Sequence, residues 1–117
     1  MRWRNLWILS FCWALLTATS VFGINHQTYT EEGNRTYNAL YAIHEEGNTL
    51  FAMRKARACA HIDAFNDADH VHFLVLWMNL ASLLELDEER IKADNELKEL
   101  INSSEDAFWE FRSYYDC

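Results

Sequence analysis

Asp69-His70-Val71-His72-Phe73-Leu74-Val75-Leu76-Trp77-Met78-Asn79-Leu80-Ala81-Ser82-Leu83-Leu84-Glu85 is the stretch on which the fold turns. Its first half is rich in residues that favour strands. No other segment offers a strand to pair with it, so the helical reading prevails. Placed at 100° per residue, Phe73, Leu74, Leu76, Trp77, Met78, Leu80, Ala81, Leu83 and Leu84 cover most of the circumference. Only a narrow sector holds His72, Asn79 and Ser82. A helix that is apolar nearly all round is buried nearly all round, so other helices must enclose it.

The composition agrees. The 117-residue chain has no proline and three glycines, where average usage gives roughly six and eight. Sandwiches and barrels draw on those two residues for their turns, and their scarcity argues for helices.

N-terminal to the central stretch, residues 30 to 65 follow a helical pattern. Its apolar seam runs through Tyr37, Tyr41, His44, Phe51, Ala58, Ile62 and Phe65, flanked by Leu40, Ile43 and Leu50. Within it Glu31-Glu32-Gly33-Asn34 recurs as Glu45-Glu46-Gly47-Asn48. The expectation is a break or bend near Gly33 and continuity through Gly47. Asn66-Asp67-Ala68-Asp69 reads as a turn and cap. On the other side, Leu86-Asp87-Glu88-Glu89 opens a third helix running to about Ile101, with acids in the first turn where the helix dipole favours them. Asn102-Ser103-Ser104 then precedes a fourth helix from Glu105 to Tyr115. The expected fold is all-α, a small up-and-down bundle of about four helices.

The chain start is a different kind of segment. Arg2 and Arg4 precede an uncharged, mostly apolar run from Leu6 to Phe22 that ends in small and polar residues. That is the layout of a secretory leader, so residues 1–23 are read as a signal peptide and 24–117 as a secreted helical domain. Cleavage is placed after Gly23, with Ser20 as the second choice. An uncleaved anchor is the competing reading, because 17 residues reach the lower limit for a membrane span. Removing the leader takes both arginines with it, leaving 8 basic against 18 acidic residues, a net charge of −10. Such an excess excludes nucleic acid and, once the leader is gone, membranes as favoured partners.

Two cysteines remain after cleavage, Cys59 and Cys117, and in an oxidising compartment an even pair closes a bridge. A Cys59–Cys117 disulfide is therefore expected, with an interchain bridge through Cys117, or two free thiols, as the alternatives. Asn34-Arg35-Thr36 and Asn102-Ser103-Ser104 match the N-glycosylation acceptor, so Asn34 and Asn102 are expected to carry glycans on exposed surface.

Catalytic chemistry finds no foothold. There is no nucleophile elbow, no phosphate-binding glycine loop and no His-Glu-x-x-His, so no enzyme, cofactor or metal is expected. The densest set of ligand types is His61, Asp63, Asp67, Asp69, His70 and His72. His70 and His72 point about 200° apart on a helix, and the two aspartates are better explained as caps. His44, alone on an apolar seam, reads as a hydrogen-bonded core histidine. Arg54-Lys55-Ala56-Arg57 reads as a solvated face balancing nearby carboxylates.

Two functional expectations follow. The first is a non-enzymatic extracellular protein that acts through contact with a protein partner or by self-association, as an effector, ligand or complex subunit. Its candidate recognition residues are Trp109 and Tyr114, which fall outside the apolar stripe of Phe108, Phe111 and Tyr115. The alternative is an extracellular carrier of a small apolar molecule, held in a cavity lined by Phe73, Trp77, Met78, Leu80, Leu84 and Phe111.

Overall fold

Residues 27–115 are described by a computed structural model, and the leader expected over residues 1–23 lies outside them. The chain forms five helices among the described residues: α1 Glu31–Glu45, α2 Thr49–Cys59, α3 Asp67–Leu83, α4 Asp87–Ser103 and α5 Glu105–Tyr115. No strand occurs there, and the architecture is an all-α bundle.

The apolar stretch is the spine. Ten of the 17 residues of α3 are buried, and the helix packs against each of the other four. Phe73, Trp77 and Leu80 have at most 2 % of their surface exposed, and burying each side chain stabilises the fold by roughly 1.5–3 kcal/mol. Ala52, Met53 and Ala56 of α2, Ala93 and Leu97 of α4 and Ala107 of α5 complete the core around it. Small alanines at these contacts let the outer helices approach the large side chains of α3 closely.

Short polar side chains cap the starts of α1, α3 and α5. Thr30 Oγ1 accepts from the Gly33 amide at 2.9 Å. Asn66 and Asp69 form a reciprocal capping box at the start of α3. Ser104 Oγ accepts from the Ala107 amide and donates to Asp67 Oδ2 at 2.6 Å, so one side chain caps α5 and ties it to α3.

The ends of α1 and α3 share another device. At the first, the Gly47 amide donates to His44 O and the Asn48 amide to Ile43 O; at the second, Glu85 donates to Ser82 O and Leu86 to Ala81 O. Both are Schellman closures, which need a left-handed residue just past the helix. Gly47 supplies it at φ +100°, whereas Glu85 occupies φ +59° as a non-glycine.

Three sequence expectations change here. The chain passes through Gly33 within α1 and breaks at Gly47, the reverse of what the pattern suggested. Gly33 is forced by a neighbour: a Cβ there would overlap the Asp69 carboxylate. That break also makes the helix count five, because the expected first helix divides into α1 and α2. Finally, the Cys59–Cys117 disulfide is not supported. Cys59 is a free thiol buried in the core cluster at the end of α2, while Cys117 lies outside the described residues. Burial pushes the thiol pKa up, so the group behaves as a small apolar core residue.

Candidate functional site

Segment 27–30 straps α1 across the starts of α3 and α5. The Thr30 amide and hydroxyl both donate to the Asp69 carboxylate at 2.8 Å. Asn66 Nδ2 donates to Thr28 O at 3.0 Å, and the Gln27 amide to Asp106 Oδ1 at 2.9 Å. Asp69 is buried, and the starts of α1 and α3 both meet it, so two helix dipoles add to its hydrogen bonds.

This strap delivers Tyr29 to His72. The imidazole lies 5.4 Å from the Tyr29 ring centre, 5.8 Å from Tyr37, 5.2 Å from Tyr114 and 5.9 Å from Tyr115. Tyr41 joins by stacking on Tyr37, 6.4 Å away with planes 12° apart. Every tyrosine of the chain therefore belongs to one ring network centred on His72. The network has an inner and an outer side: His72 is largely covered, whereas Tyr29, Tyr41, Tyr114 and Tyr115 are between 37 % and 52 % exposed.

Beneath the rings sits a buried acid. His72 Nε2 is 2.9 Å from Glu110 Oε2, and His72 Nδ1 is 3.0 Å from the Tyr115 hydroxyl. Glu110 is 1 % exposed, a burial a carboxylate tolerates only with a partner. Burial raises the Tyr115 pKa above its ordinary value, with Tyr37 and Glu110 adding to the effect. Its phenol thus keeps its proton and donates to Nδ1, leaving Nε2–H to donate to Glu110. Hydrogen bonding with Tyr29, followed by burial, pushes Tyr114 up to about 12. These phenols are poor nucleophiles at neutral pH and good hydrogen-bonding, ring-bearing contacts. The arrangement suits recognition better than bond breaking.

The residues singled out by sequence fall in several places. Tyr114 belongs to the tyrosine face. Trp109 is 41 % exposed and lies edge-on to Phe108, lining a shallow groove of about 400 Å³ with Ile101 and Asn102. Asn34 and Asn102 are both exposed, the first in the opening turn of α1 and the second in the last turn of α4. Phe73, Trp77 and Leu80 are fully buried core, and Met78, Leu84 and Phe111 pack against it. A larger groove, about 550 Å³, lies elsewhere, between Leu50, Met53, Arg54 and Arg57 on one side and residues 85–89 on the other.

The ligand-type residues near the α2–α3 turn do not converge. His61 pairs with Glu96 at 2.6 Å, His70 Nε2 donates to Ile62 O at 2.8 Å, and His72 turns to Glu110. Among the described residues no group of three or more His, Cys, Asp or Glu is placed to hold a metal. His44 is hydrogen-bonded, to Thr49 Oγ1 at 2.9 Å. In the basic cluster, Arg57 Nη1 lies 3.0 and 2.9 Å from the two oxygens of Glu89, which also accepts from Trp77 Nε1.

Sequence reasoning missed Glu110 and Tyr29. Glu110 was findable: it lies three positions after Ala107 and one before Phe111, on the face α5 buries. Tyr29 carried no such signal, because it precedes the first helix. Compared with protein families, curated proteins and solved structures, the chain finds no match in any of the three.

Proposed function

We propose that this is a secreted, non-enzymatic protein that binds an extracellular protein partner through its tyrosine face. The carrying observation is one ring network of all five tyrosines, four of them packed directly on His72 and four open to solvent. Tyrosine offers a large ring with a polar tip at low conformational cost, which is why it concentrates in binding surfaces. Glu110 and the Asp69 strap hold the inner rings in place, so little ordering remains to be done on binding.

Secretion rests on the leader pattern of residues 1–23, and the mature chain begins at Ile24. Asn34 and Asn102 sit on exposed surface, as glycan acceptors must. The acidic balance of the mature chain favours a partner with basic groups around its contact. No catalytic step, cofactor, metal or nucleic acid enters this proposal, and no helix among the described residues is long and apolar enough to cross a membrane. The carrier alternative gains no specific support, since its lining residues are engaged in core packing.

The test is site-specific photo-crosslinking in the natural extracellular fluid. A crosslinker at Tyr114 is expected to capture one discrete protein, while the same group at exposed Lys92 of α4 does not. Equal capture from both positions, or none from Tyr114, overturns the proposal. The intact mass of the secreted product checks the leader and both glycans together.

A further inference from the structure

The tyrosine face is built on a histidine, the side-chain type that gains or loses charge between about pH 5 and 8. Both ring nitrogens of His72 are engaged, Nε2 with Glu110 and Nδ1 with the Tyr115 hydroxyl. Its hydrogen bonds and ring contacts come from Tyr29 of the strap, Tyr37 of α1, and Glu110, Tyr114 and Tyr115 of α5. On α3 itself Asp69 lies one turn earlier, taken up by the Thr30 amide and hydroxyl. The two hydrogen bonds of the ring respond differently to a second proton. Glu110 Oε2 accepts from Nε2–H in either state, whereas Nδ1 accepts in the neutral ring and donates in the charged one. A phenol can follow that change, because its oxygen both donates and accepts and its O–H rotates to suit.

We propose that protonation of His72 reverses the Tyr115 hydrogen bond and so makes the tyrosine face sensitive to pH. With the ring neutral, Tyr115 donates to Nδ1 and its free lone pair can accept from outside. With the ring charged, Nδ1–H donates to the Tyr115 oxygen and the phenolic proton turns away from His72. That hydrogen bond is open to solvent, and Tyr115 is 37 % exposed, so water or a bound partner meets the change directly. Glu110 keeps the charged ring paired, so the reversal needs no unfolding. The phenol itself keeps its proton in both states, since burial raises its pKa. The consequence for binding rests on the proposed role of the tyrosine face. A partner with basic groups finds an acceptor at neutral pH; in acid it finds a donor beside an added positive charge, and its binding weakens.

The experiment uses the full chain, as its host processes it, with no partner present, and runs from about pH 8.5 to about pH 5. Nitrogen NMR follows the His72 ring, and this measurement needs no variant. The phenol C–O stretch of Tyr115 is read by infrared difference between the parent and Tyr115→Phe. Above the His72 transition, Nδ1 is expected without a proton and the stretch at its donor position. Below it, both nitrogens are expected to be protonated and the stretch to move down to its acceptor position, with the same midpoint. A stretch that holds its position through the His72 transition overturns the proposal, as does a ring that keeps one protonation state across the range. The photo-crosslinker at Tyr114 then tests the consequence: capture is expected to fall about tenfold in acid, the worth of one hydrogen bond. Equal capture at both ends of the range overturns the pH sensitivity of the face. No capture at either end overturns the binding reading and leaves the hydroxyl reversal standing.

Discussion

Glu-Glu-Gly-Asn opens α1 at residues 31–34, and the same four residues close it at 45–48. In the first copy the two acids sit in the opening turn, where they face the positive end of the helix dipole. In the second they fall at its negative end, where the dipole disfavours them. The glycines differ more. Gly33 is buried in ordinary helical geometry because the Asp69 carboxylate fills the space a side chain would need. Gly47 is exposed with nothing near it, and its task is the left-handed turn that completes a Schellman closure. One glycine is selected by its neighbour and the other by its own backbone. Identical local sequence therefore carries no fixed structural meaning; what lies 36 residues further on decides the first copy.

Substitution of each glycine by alanine separates these causes. Gly33→Ala forces a methyl group into the Asp69 carboxylate and is expected to cost about 3 kcal/mol, seen as a large fall in Tm. Combining it with Asp69→Ala should cost less than the sum of the single changes, since the clash and the anchor are the same contact. Strict additivity in that cycle breaks the comparison. Gly47→Ala meets no neighbour and pays only for the left-handed backbone, about 1 kcal/mol, in denaturant titration. A Gly47→Ala loss as large as that of Gly33→Ala would erase the distinction.

A smaller effect of opposite sign is expected at the other Schellman closure. Glu85 holds the conformation that Gly47 holds, but with a side chain. Glu85→Gly should raise stability by about 0.5 kcal/mol, the relief of strain exceeding the extra freedom of the unfolded chain. Alkaline pH gives the mildest test and acts on the first copy's side of the molecule, where Tyr29, Tyr114 and Tyr115 gather. Tyr114 ionises near 12 when folded against 10 for the free side chain. Between those values the unfolded chain has lost a proton that the folded one retains, so stability is full below pH 10 and declines as pH rises toward 12. Tyr114→Phe should shrink the fall in Tm between pH 9 and pH 11.

Helix type and most boundaries were legible because they rest on local signals. α5 runs from Glu105 to Tyr115 as the Ser-Ser-Glu-Asp sequence implied, and the apolar α3 is the buried spine its circumference required. The break at Gly47 was not legible, because an identical tetrapeptide 14 residues earlier is continuous. Cys59 misled for a related reason: composition cannot tell a thiol packed in a core from one waiting for a partner. The candidate site was the least legible part. His72 stood out as part of the narrow polar sector of α3, but nothing local says which helices will face that sector. Tyr37 and Tyr115 read as ordinary seam residues until α1 and α5 are set on either side of it.

The Asp69 anchor also dictates an order of events. Its carboxylate holds Thr30 across 39 positions of chain, and it points correctly only once α3 has formed its first turn. The strap therefore cannot close before that turn exists, although α1 can already pack on α2. As the last of these contacts to close, the strap is expected to form after the rate-limiting barrier. A weakened anchor would leave the folding rate nearly untouched and accelerate unfolding, the signature of a contact that forms last and is lost first.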